Sequence, residues 1–189
     1  MIRLGIIGDI GSGKTFVANN FGYPVFSADL EVAKIYKKDK KVFLKLKNKL
    51  PKYITKFPIN KNEITNAILS NPNNLNKIIK IVHKETTKKL NYFLKKNKNK
   101  KIVILDIPLI IENKLFDKKD LLIFVDSKKR DIDKRIKKRP NYNSKLLKIF
   151  KKIQLSSSYK RKISHFIIKN TFTKKPVKNE IMKIINKVL

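Results

Sequence analysis

The sequence predicts an α/β protein whose parallel sheet is covered by helices on both faces. Residues 102–105 and 121–125 are continuous apolar runs, which are typical of strands buried on both faces of a parallel sheet. Strand-like segments alternate with segments of helical periodicity, as they do in parallel α/β folds. A glycine-rich turn at residues 8–13 separates the first predicted strand from the first predicted helix.

Each predicted element rests on a local pattern. Phe16, Val17 and Phe21 fit one face of the first helix, and Pro72 fits the first turn of a long helix, where a proline removes no helical hydrogen bond. The lysine-rich stretch 37–62 favours no particular element. The predicted strands are residues 3–7, 23–26, 102–105, 121–125 and 166–168, and the predicted helices are residues 14–21, 30–36, 71–96 and 176–189.

The length predicts a single domain, residues 1–189. A chain of this size buries about 70% of its unfolded surface, which is enough for a substantial core. The stretch 30–98 contains helical patterns and no intervening strand. We therefore expect these residues to form a helical cap inserted over one edge of the sheet.

Composition excludes several classes of protein. With 41% apolar residues the chain is too hydrophobic to be a basic disordered tail. It has no cysteine, and His83 and His165 are far apart, so disulfides and a structural zinc site are not expected. No apolar run approaches the roughly 18 to 20 residues of a membrane span, and the first residues do not resemble a signal peptide. We expect a cytoplasmic protein that does not bind membranes.

The formal net charge of +33 has two possible origins. Clustered cations favour nucleic acids or anionic surfaces through counterion release. Alternatively, five of the 47 basic residues are arginine and the rest are lysine, and lysine, isoleucine and asparagine are the residues that A+T-rich codons specify. Since the sequence shows neither aromatic stacking platforms nor a nucleic-acid-binding motif, we expect no specific nucleic-acid partner.

The strongest motif is a phosphate-binding loop. It matches the pattern of glycine, four residues, Gly-Lys and Ser/Thr, between a strand and a helix. The loop backbone would direct successive N–H groups at a phosphate, Lys14 would reach the β- and γ-phosphates of ATP, and Thr15 would place its hydroxyl on Mg²⁺. The residues of this predicted ATP site are Gly8, Asp9, Ile10, Gly11, Ser12, Gly13, Lys14 and Thr15.

A phosphate-binding loop is compatible with kinases, GTPases and ATP-driven motors. The segment 60–63, Asn-Lys-Asn-Glu, superficially resembles a guanine-reading Asn-Lys-x-Asp, but it carries glutamate for aspartate and does not follow a buried strand. An Asp-x-x-Gly after a strand, which a GTPase uses to sense the γ-phosphate, is absent from the sequence. The length and the arginines after the fourth strand favour a kinase of the nucleoside-monophosphate type, with the P-loop fold. A basic P-loop ATPase or nucleotide kinase acting on nucleic acid is the alternative.

Five motifs, in order along nearly the whole chain, resemble those of bacterial dephospho-coenzyme A kinases. They are residues 10–15, Ile-Gly-Ser-Gly-Lys-Thr; residues 27–29, Ser-Ala-Asp; Asn71-Pro72 followed by His83; residues 106–112, Asp-Ile-Pro-Leu-Ile-Ile-Glu; and Val125-Asp126 followed by Arg135 and Arg139. The resemblance implies transfer of the ATP γ-phosphate to the ribose 3′-hydroxyl of dephospho-coenzyme A. It also implies a helical lid, residues 127–160.

The resemblance implies roles for particular residues. Asp29 would accept or orient the proton of the ribose hydroxyl, and Lys14 and Arg135 would stabilise the charge of the transferred group. Arg139 and Asn170 would also contact ATP. The residues implied for the coenzyme side are Asp29, His83, Asp106, Pro108, Leu109 and Glu112.

Several of these residues also have a structural interpretation. Asp29 could be an N-cap of the following helix, and Asp106 could cap a turn rather than meet a water bound to Mg²⁺. Arg135 and Arg139 are four residues apart, which predicts one helix face, and that face could simply be solvated. His83 could be a packed or capping side chain.

The sequence departs from the family pattern at several positions. Ser27 stands for the first aspartate of Asp-Ala-Asp, Lys84 for a proline after His83, and Asp9 for a second glycine. Ser164-His165 stands for Ala-Asp near the last strand. None of these changes removes a residue to which the resemblance assigns phosphate binding or base catalysis.

Overall fold

The computed structural model describes residues 1–112 and 115–189, and within them five strands form one parallel sheet. Their order across the sheet is β2-β3-β1-β4-β5, so the first strand is central. This confirms the predicted five-stranded parallel sheet, with boundaries shifted by one or two residues. The strands are β1 (Ile2–Gly8), β2 (Val25–Ser27), β3 (Ile102–Asp106), β4 (Leu121–Asp126) and β5 (Phe166–Lys169).

Helices connect the strands, and four of them lie between β2 and β3. The lysine-rich stretch 37–62, which favoured no element, contains α3 and the start of α4. No helix in the described part of the chain is both long and apolar enough to cross a membrane. The helices are α1 (Lys14–Asn19), α2 (Ala28–Lys38), α3 (Lys40–Lys49), α4 (Lys61–Ser70), α5 (Asn73–Lys96), α6 (Lys129–Lys137), α7 (Ser144–Ile153), α8 (Ser157–Lys162) and α9 (Lys174–Val188).

The chain divides into two compact units. The first comprises residues 1–27, 93–142 and 153–189, and it contains the sheet with α1, α6, α8 and α9. The second comprises residues 28–92 and 143–152, and it contains α2, α3, α4, most of α5 and most of α7.

The core of the first unit lies on both faces of the sheet. Strand β3 is buried along its whole length, as expected for a strand covered on both sides. Because all strands are parallel, their carboxyl ends meet at one edge, where Ser27 lies opposite Asp106 and Gly8 opposite Val125. Val103, Leu105, Leu122 and Phe124 are buried on one face of the sheet. The core cluster on the other face comprises Leu4, Ile6, Val17, Ala18, Phe21, Ile102, Ile104, Ile123, Val125, Ile168, Val177, Ile181 and Ile184.

In the second unit the Asn60–Glu63 segment begins a helix. The side chain of Asn60 caps α4, accepting the N–H of Asn62 at 2.8 Å, and Glu63 accepts the N–H of Asn60 at 3.3 Å. This reciprocal pair is a capping box. The segment therefore has a structural role, in agreement with the rejection of a guanine-reading motif.

A buried ion pair joins β1 to the residue that precedes β4. Arg3 Nε lies 2.7 Å from Asp120 Oδ1, and Arg3 Nη2 donates to Oδ2 at 2.8 Å. The side chain of Asp120 is 1% exposed and that of Arg3 is 23% exposed. Burial raises the pKa of Asp120, and this effect outweighs the hydrogen bond from the Asp117 N–H and the charge of Arg3, which lower it. The carboxylate therefore depends on Arg3 for its charge compensation.

Replacement of Arg3 by methionine should destabilise the fold in a pH-dependent way. Arg3→Met leaves the Asp120 carboxylate buried without its partner, which should lower the free energy of unfolding at pH 7 by about 3 to 5 kcal/mol. A raised pKa means that the fold favours the protonated carboxyl, so the loss should shrink as the pH falls. Urea unfolding of the parent and the variant at pH 7 and pH 5 measures this difference.

The double variant R3M/D120N is the control, because it removes the buried charge and should recover part of the lost stability. An equal loss for R3M at both pH values would contradict the assignment to Asp120.

Candidate active site

The glycine-rich loop between β1 and α1 is packed on two sides. Gly11 and Gly13 have φ values of 87° and 88°, a conformation that favours glycine. A Cβ at Gly13 would lie 2.3 Å from Asn170 Nδ2, and one at Gly11 would lie 2.7 Å from the Ile136 side chain. Both positions therefore require glycine for space as well as for backbone angle, since α6 and the segment after β5 press against the loop.

The side chain of Lys14 lies over the start of this loop. Its Nζ donates to the carbonyl oxygens of Gly8 at 3.1 Å and Asp9 at 2.9 Å. The N–H of Ser12 donates to the Asp9 carbonyl at 3.1 Å, which closes a turn. The predicted phosphate-binding lysine is thus positioned by the backbone of the loop it serves.

The hydroxyl of Thr15 donates to Asp106 Oδ2 at 2.6 Å. Asp106 ends β3, the neighbour of β1 in the sheet, and is 3% exposed. The contact brings a hydroxyl and a carboxylate together beside the loop, and such hard oxygen donors suit Mg²⁺. No group of three or more His, Cys, Asp or Glu side chains that could hold a metal occurs among the described residues. Mg²⁺ bound with ATP phosphates needs only one or two protein ligands, so this donor set fits it.

Asn170 braces the loop from the carboxyl end of β5. Its Nδ2 donates to the carbonyl of Ser12 at 2.7 Å, and its own N–H donates to the carbonyl of Asp126 at 2.7 Å. Ser127 Oγ donates to the same Ser12 carbonyl at 2.8 Å. Asn170 is 4% exposed, so its observed hydrogen bonds are structural, and its contact with ATP remains a prediction.

Arg135 lies on α6 and stacks on an aromatic ring. Its guanidinium carbon is 4.2 Å from the centroid of Phe172, a cation–π distance. The N–H of Phe172 donates to Asn170 Oδ1 at 2.9 Å, and Phe172 has a φ of 61°, which is uncommon for an aromatic residue. The ring would also meet a Cβ at Gly13 at 2.9 Å. Arg135 is therefore held near the predicted ATP loop.

Arg139 does not share a helix face with Arg135, so that prediction was wrong. Helix α6 ends at Lys137, and the N–H of Arg139 donates to the Ile136 carbonyl in a tighter turn. Arg139 precedes Pro140, and a following proline disfavours the helical conformation. The four-residue spacing predicted a shared face only if the helix continued.

Two of the predicted coenzyme residues, Leu109 and Glu112, line a small pocket beside the loop, whereas Asp106 and Pro108 are not among its lining residues. Pro108 and Leu109 lie in a turn, with Leu109 at a φ of 59°. Glu112 Oε1 accepts the N–H of Leu155 at 2.9 Å and lies 3.9 Å from Lys160 Nζ. The pocket is lined by Ile6, Ile7, Gly8, Lys14, Ile107, Leu109, Ile110, Ile111, Glu112, Gln154 and Lys160.

Two predicted site residues, Asp29 and His83, belong to the second unit. Asp29 is the second residue of α2, which begins directly after β2, and its exposed carboxylate makes no hydrogen bond with any described residue. The N-cap interpretation of Asp29 is therefore wrong, since helix α2 begins at Ala28. His83 lies on α5, and its buried Nε2 has no hydrogen-bond partner in the described residues.

Sequence analysis missed Lys160 and Phe172. Lys160 is one of many lysines, and nothing in its neighbours distinguishes it from the exposed ones. Phe172 follows the last strand by a few residues, and the carboxyl ends of parallel strands are where ligands bind, so its place was a usable signal.

Comparisons with known proteins agree on one family. A family model described as dephospho-CoA kinase matches residues 2–175. A dephospho-CoA kinase of Wolbachia pipientis wMel is 31% identical over 188 residues, covering 97% of this chain and 96% of that protein.

Two solved structures show the same fold. A protein from Thermus thermophilus has a TM-score of 0.82 at 24% identity and covers 100% of this chain and 97% of its own. A dephospho-CoA kinase from Campylobacter jejuni has a TM-score of 0.63 at 22% identity, with coverages of 98% and 96%.

Replacement of Gly13 by alanine should weaken nucleotide binding. The added Cβ meets Asn170 Nδ2 and displaces either the loop or its brace. ATP affinity should fall by at least about tenfold, equivalent to roughly 1.4 kcal/mol. Calorimetric titration with Mg²⁺ and ATP measures the change.

Gly22→Ala is the matched control. Gly22 also has a positive φ, 74°, but a Cβ there would meet nothing within 4 Å. G22A should lose about 1 to 2 kcal/mol of folding stability from backbone strain and keep its ATP affinity. If G13A bound ATP as well as G22A does, the packing around the loop would have no part in nucleotide binding.

Proposed function

The chain belongs to the dephospho-CoA kinase family, and we propose that it transfers the γ-phosphoryl group of ATP to the ribose 3′-hydroxyl of dephospho-coenzyme A. In that reaction the ribose oxygen forms a bond to the γ-phosphorus, the bond from the γ-phosphorus to the β,γ-bridging oxygen breaks, and ADP and coenzyme A leave. The observation that carries the proposal is a complete phosphate-binding loop inside a family match spanning residues 2–175.

The loop supplies the binding and positioning that phosphoryl transfer requires. In this reaction charge spreads over the oxygens of the transferred group, so fixed donors and cations provide most of the catalysis. Lys14 would exchange its bonds to the Gly8 and Asp9 carbonyls for the phosphates, and Arg135 would add a second positive charge. Asn170 supports the loop through Ser12 and would keep its N–H groups in place.

We assign the Mg²⁺ that accompanies ATP to Thr15 and Asp106. Their side-chain oxygens are 2.6 Å apart and adjoin the loop. When bound, Mg²⁺ neutralises phosphate charge. Thr15 would contact the ion through its hydroxyl, and Asp106 would orient that hydroxyl or a bound water.

We assign residues 30–98 to a substrate-binding cap on the acceptor side and residues 127–160 to a lid over ATP. Asp29 follows the end of β2 by two residues and carries an exposed carboxylate, which suits it to take the proton from the ribose hydroxyl. We also assign His83 to the coenzyme side, because its buried Nε2 has no hydrogen-bond partner among the described residues. Pro108, Leu109 and Glu112 would shape the coenzyme side of the site.

A direct assay tests the proposed reaction. Purified chain with ATP, Mg²⁺ and dephospho-coenzyme A should form ADP and coenzyme A in equal amounts, and phosphorus NMR should place the new phosphate at the ribose 3′ position. The K14A variant is the inactive control, because Lys14 serves both ground-state and transition-state binding. If no ADP forms in response to dephospho-coenzyme A, the proposed substrate is wrong.

Asp29→Asn should separate base catalysis from helix stabilisation. Turnover should fall by about 10²- to 10⁴-fold, the usual range for loss of a general base, while the KM for dephospho-coenzyme A changes little. Loss of a carboxylate near a helix N-terminus should change the free energy of unfolding by less than about 1 kcal/mol. Single-turnover transfer and thermal unfolding of the same samples measure both.

Glu31→Gln is the matched control, because Glu31 is the other acidic residue in the first turn of α2. E31Q should show a similar small change in stability and an unchanged transfer rate. A D29N rate within threefold of the parent would remove Asp29 from the mechanism.

A further inference from the structure

Lys160 is a buried lysine to which the proposed mechanism assigns no role. It lies on α8 and is 2% exposed, and its Nζ has no hydrogen-bond partner among the described residues. Burial of an ammonium group whose three donors are unused is costly, and such groups in native proteins call for an explanation.

The helix that carries Lys160 is hydrogen-bonded to the phosphate-binding loop. Ser157, in the first turn of α8, donates through its Oγ to Asp9 Oδ2 at 2.6 Å, and Asp9 is a loop residue. Lys160 lines the same pocket as Gly8 and Lys14. Two lysines therefore border one pocket beside the loop, and isoleucines form most of the remaining wall.

Two carboxylates balance the charge of Lys160 but accept no hydrogen bond from its Nζ. Its Nζ lies 3.7 Å from Asp9 Oδ1 and 3.9 Å from Glu112 Oε1. Both distances exceed the range of a hydrogen bond from nitrogen to oxygen, about 2.7 to 3.2 Å. Asp9 and Glu112 accept closer bonds from Ser157 and from the Leu155 N–H. The carboxylates hold the ammonium in place, and its N–H groups are left for a third acceptor.

We propose that this acceptor is the γ-phosphoryl group of ATP, and that Lys160 is a catalytic residue. An anion with several oxygens is the ligand chemistry that two lysines beside one small pocket recognise. Lys160 would donate hydrogen bonds to the γ-phosphoryl oxygens while the phosphorus moves from ADP to the acceptor, and it would keep its own proton throughout. The proposal rests on the proposed kinase reaction and adds a residue to it.

The first test compares Lys160→Met with Lys162→Met, an exposed lysine on the same helix. K160M should lower kcat by about 10²-fold or more, the usual loss for one transition-state donor. Affinity for a non-hydrolysable ATP analogue should fall by at least about tenfold, since a hydrogen bond to a charged group is lost, whereas ADP affinity should change less than threefold. K162M should match the parent in all three measurements.

Two results would overturn the proposal. One is a K160M kcat within threefold of the parent. The other is an equal loss of affinity for ADP and the ATP analogue, since a residue that only supports the loop would affect both nucleotides alike. The binding measurements need no acceptor substrate, so they remain valid if the parent fails to phosphorylate dephospho-coenzyme A.

Comparing K160M in the parent and in the D9N background distinguishes a phosphate contact of Lys160 from a role in balancing the charge of Asp9. D9N removes one of the carboxylates that K160M leaves without a cation, so the double variant K160M/D9N is better suited to fold. If Lys160 contacts the phosphoryl group, K160M should lower kcat by a similar factor in the D9N background. If the double variant is as active as D9N alone, or if neither K160M nor K160M/D9N folds, Lys160 is a structural counter-ion and the proposal is wrong.

Discussion

The carbonyl of Ser12 is the point on which the nucleotide site depends. Because the loop turns through left-handed glycines, its backbone does not form the continuous series of hydrogen bonds that a helix has, and its carbonyls need other partners. Asn170 and Ser127 both donate to the Ser12 carbonyl, and the Asn170 backbone bonds to the end of β4. Residues that directly follow β4 and β5 therefore hold the loop that begins at the end of β1.

Charged side chains of both signs lie at the edge formed by the carboxyl ends of the strands. Thr15 meets Asp106, and Asp9 accepts a hydrogen bond from Ser157 while facing Lys160. Acidic residues are scarce in a chain of charge +33, so their concentration here is informative. They position the cations that a polyphosphate ligand needs, and most lysines elsewhere in the described residues form no ion pair.

The sequence pattern was sufficient to predict those features whose physical cause lies in neighbouring residues. Buried parallel strands need continuous apolar runs, and the phosphate-binding loop needs glycines at fixed spacing, so the sheet and residues 8–15 could be predicted. Local pattern failed at Arg139, where the following proline ends α6. The alternative interpretation of Asp29 as an N-cap also failed, since α2 begins at Ala28, directly after the end of β2.

The sequence by itself determined the fold class, the family and the phosphate-binding loop, because each is encoded by residue types at fixed spacing. Only the tertiary structure distinguished Lys160 from the other lysines and brought Phe172 under Arg135. Burial and the approach of a carboxylate far along the chain are set by packing, and residues such as Asp9 and Lys160 come together only when the strands have paired. No spacing rule can encode that proximity.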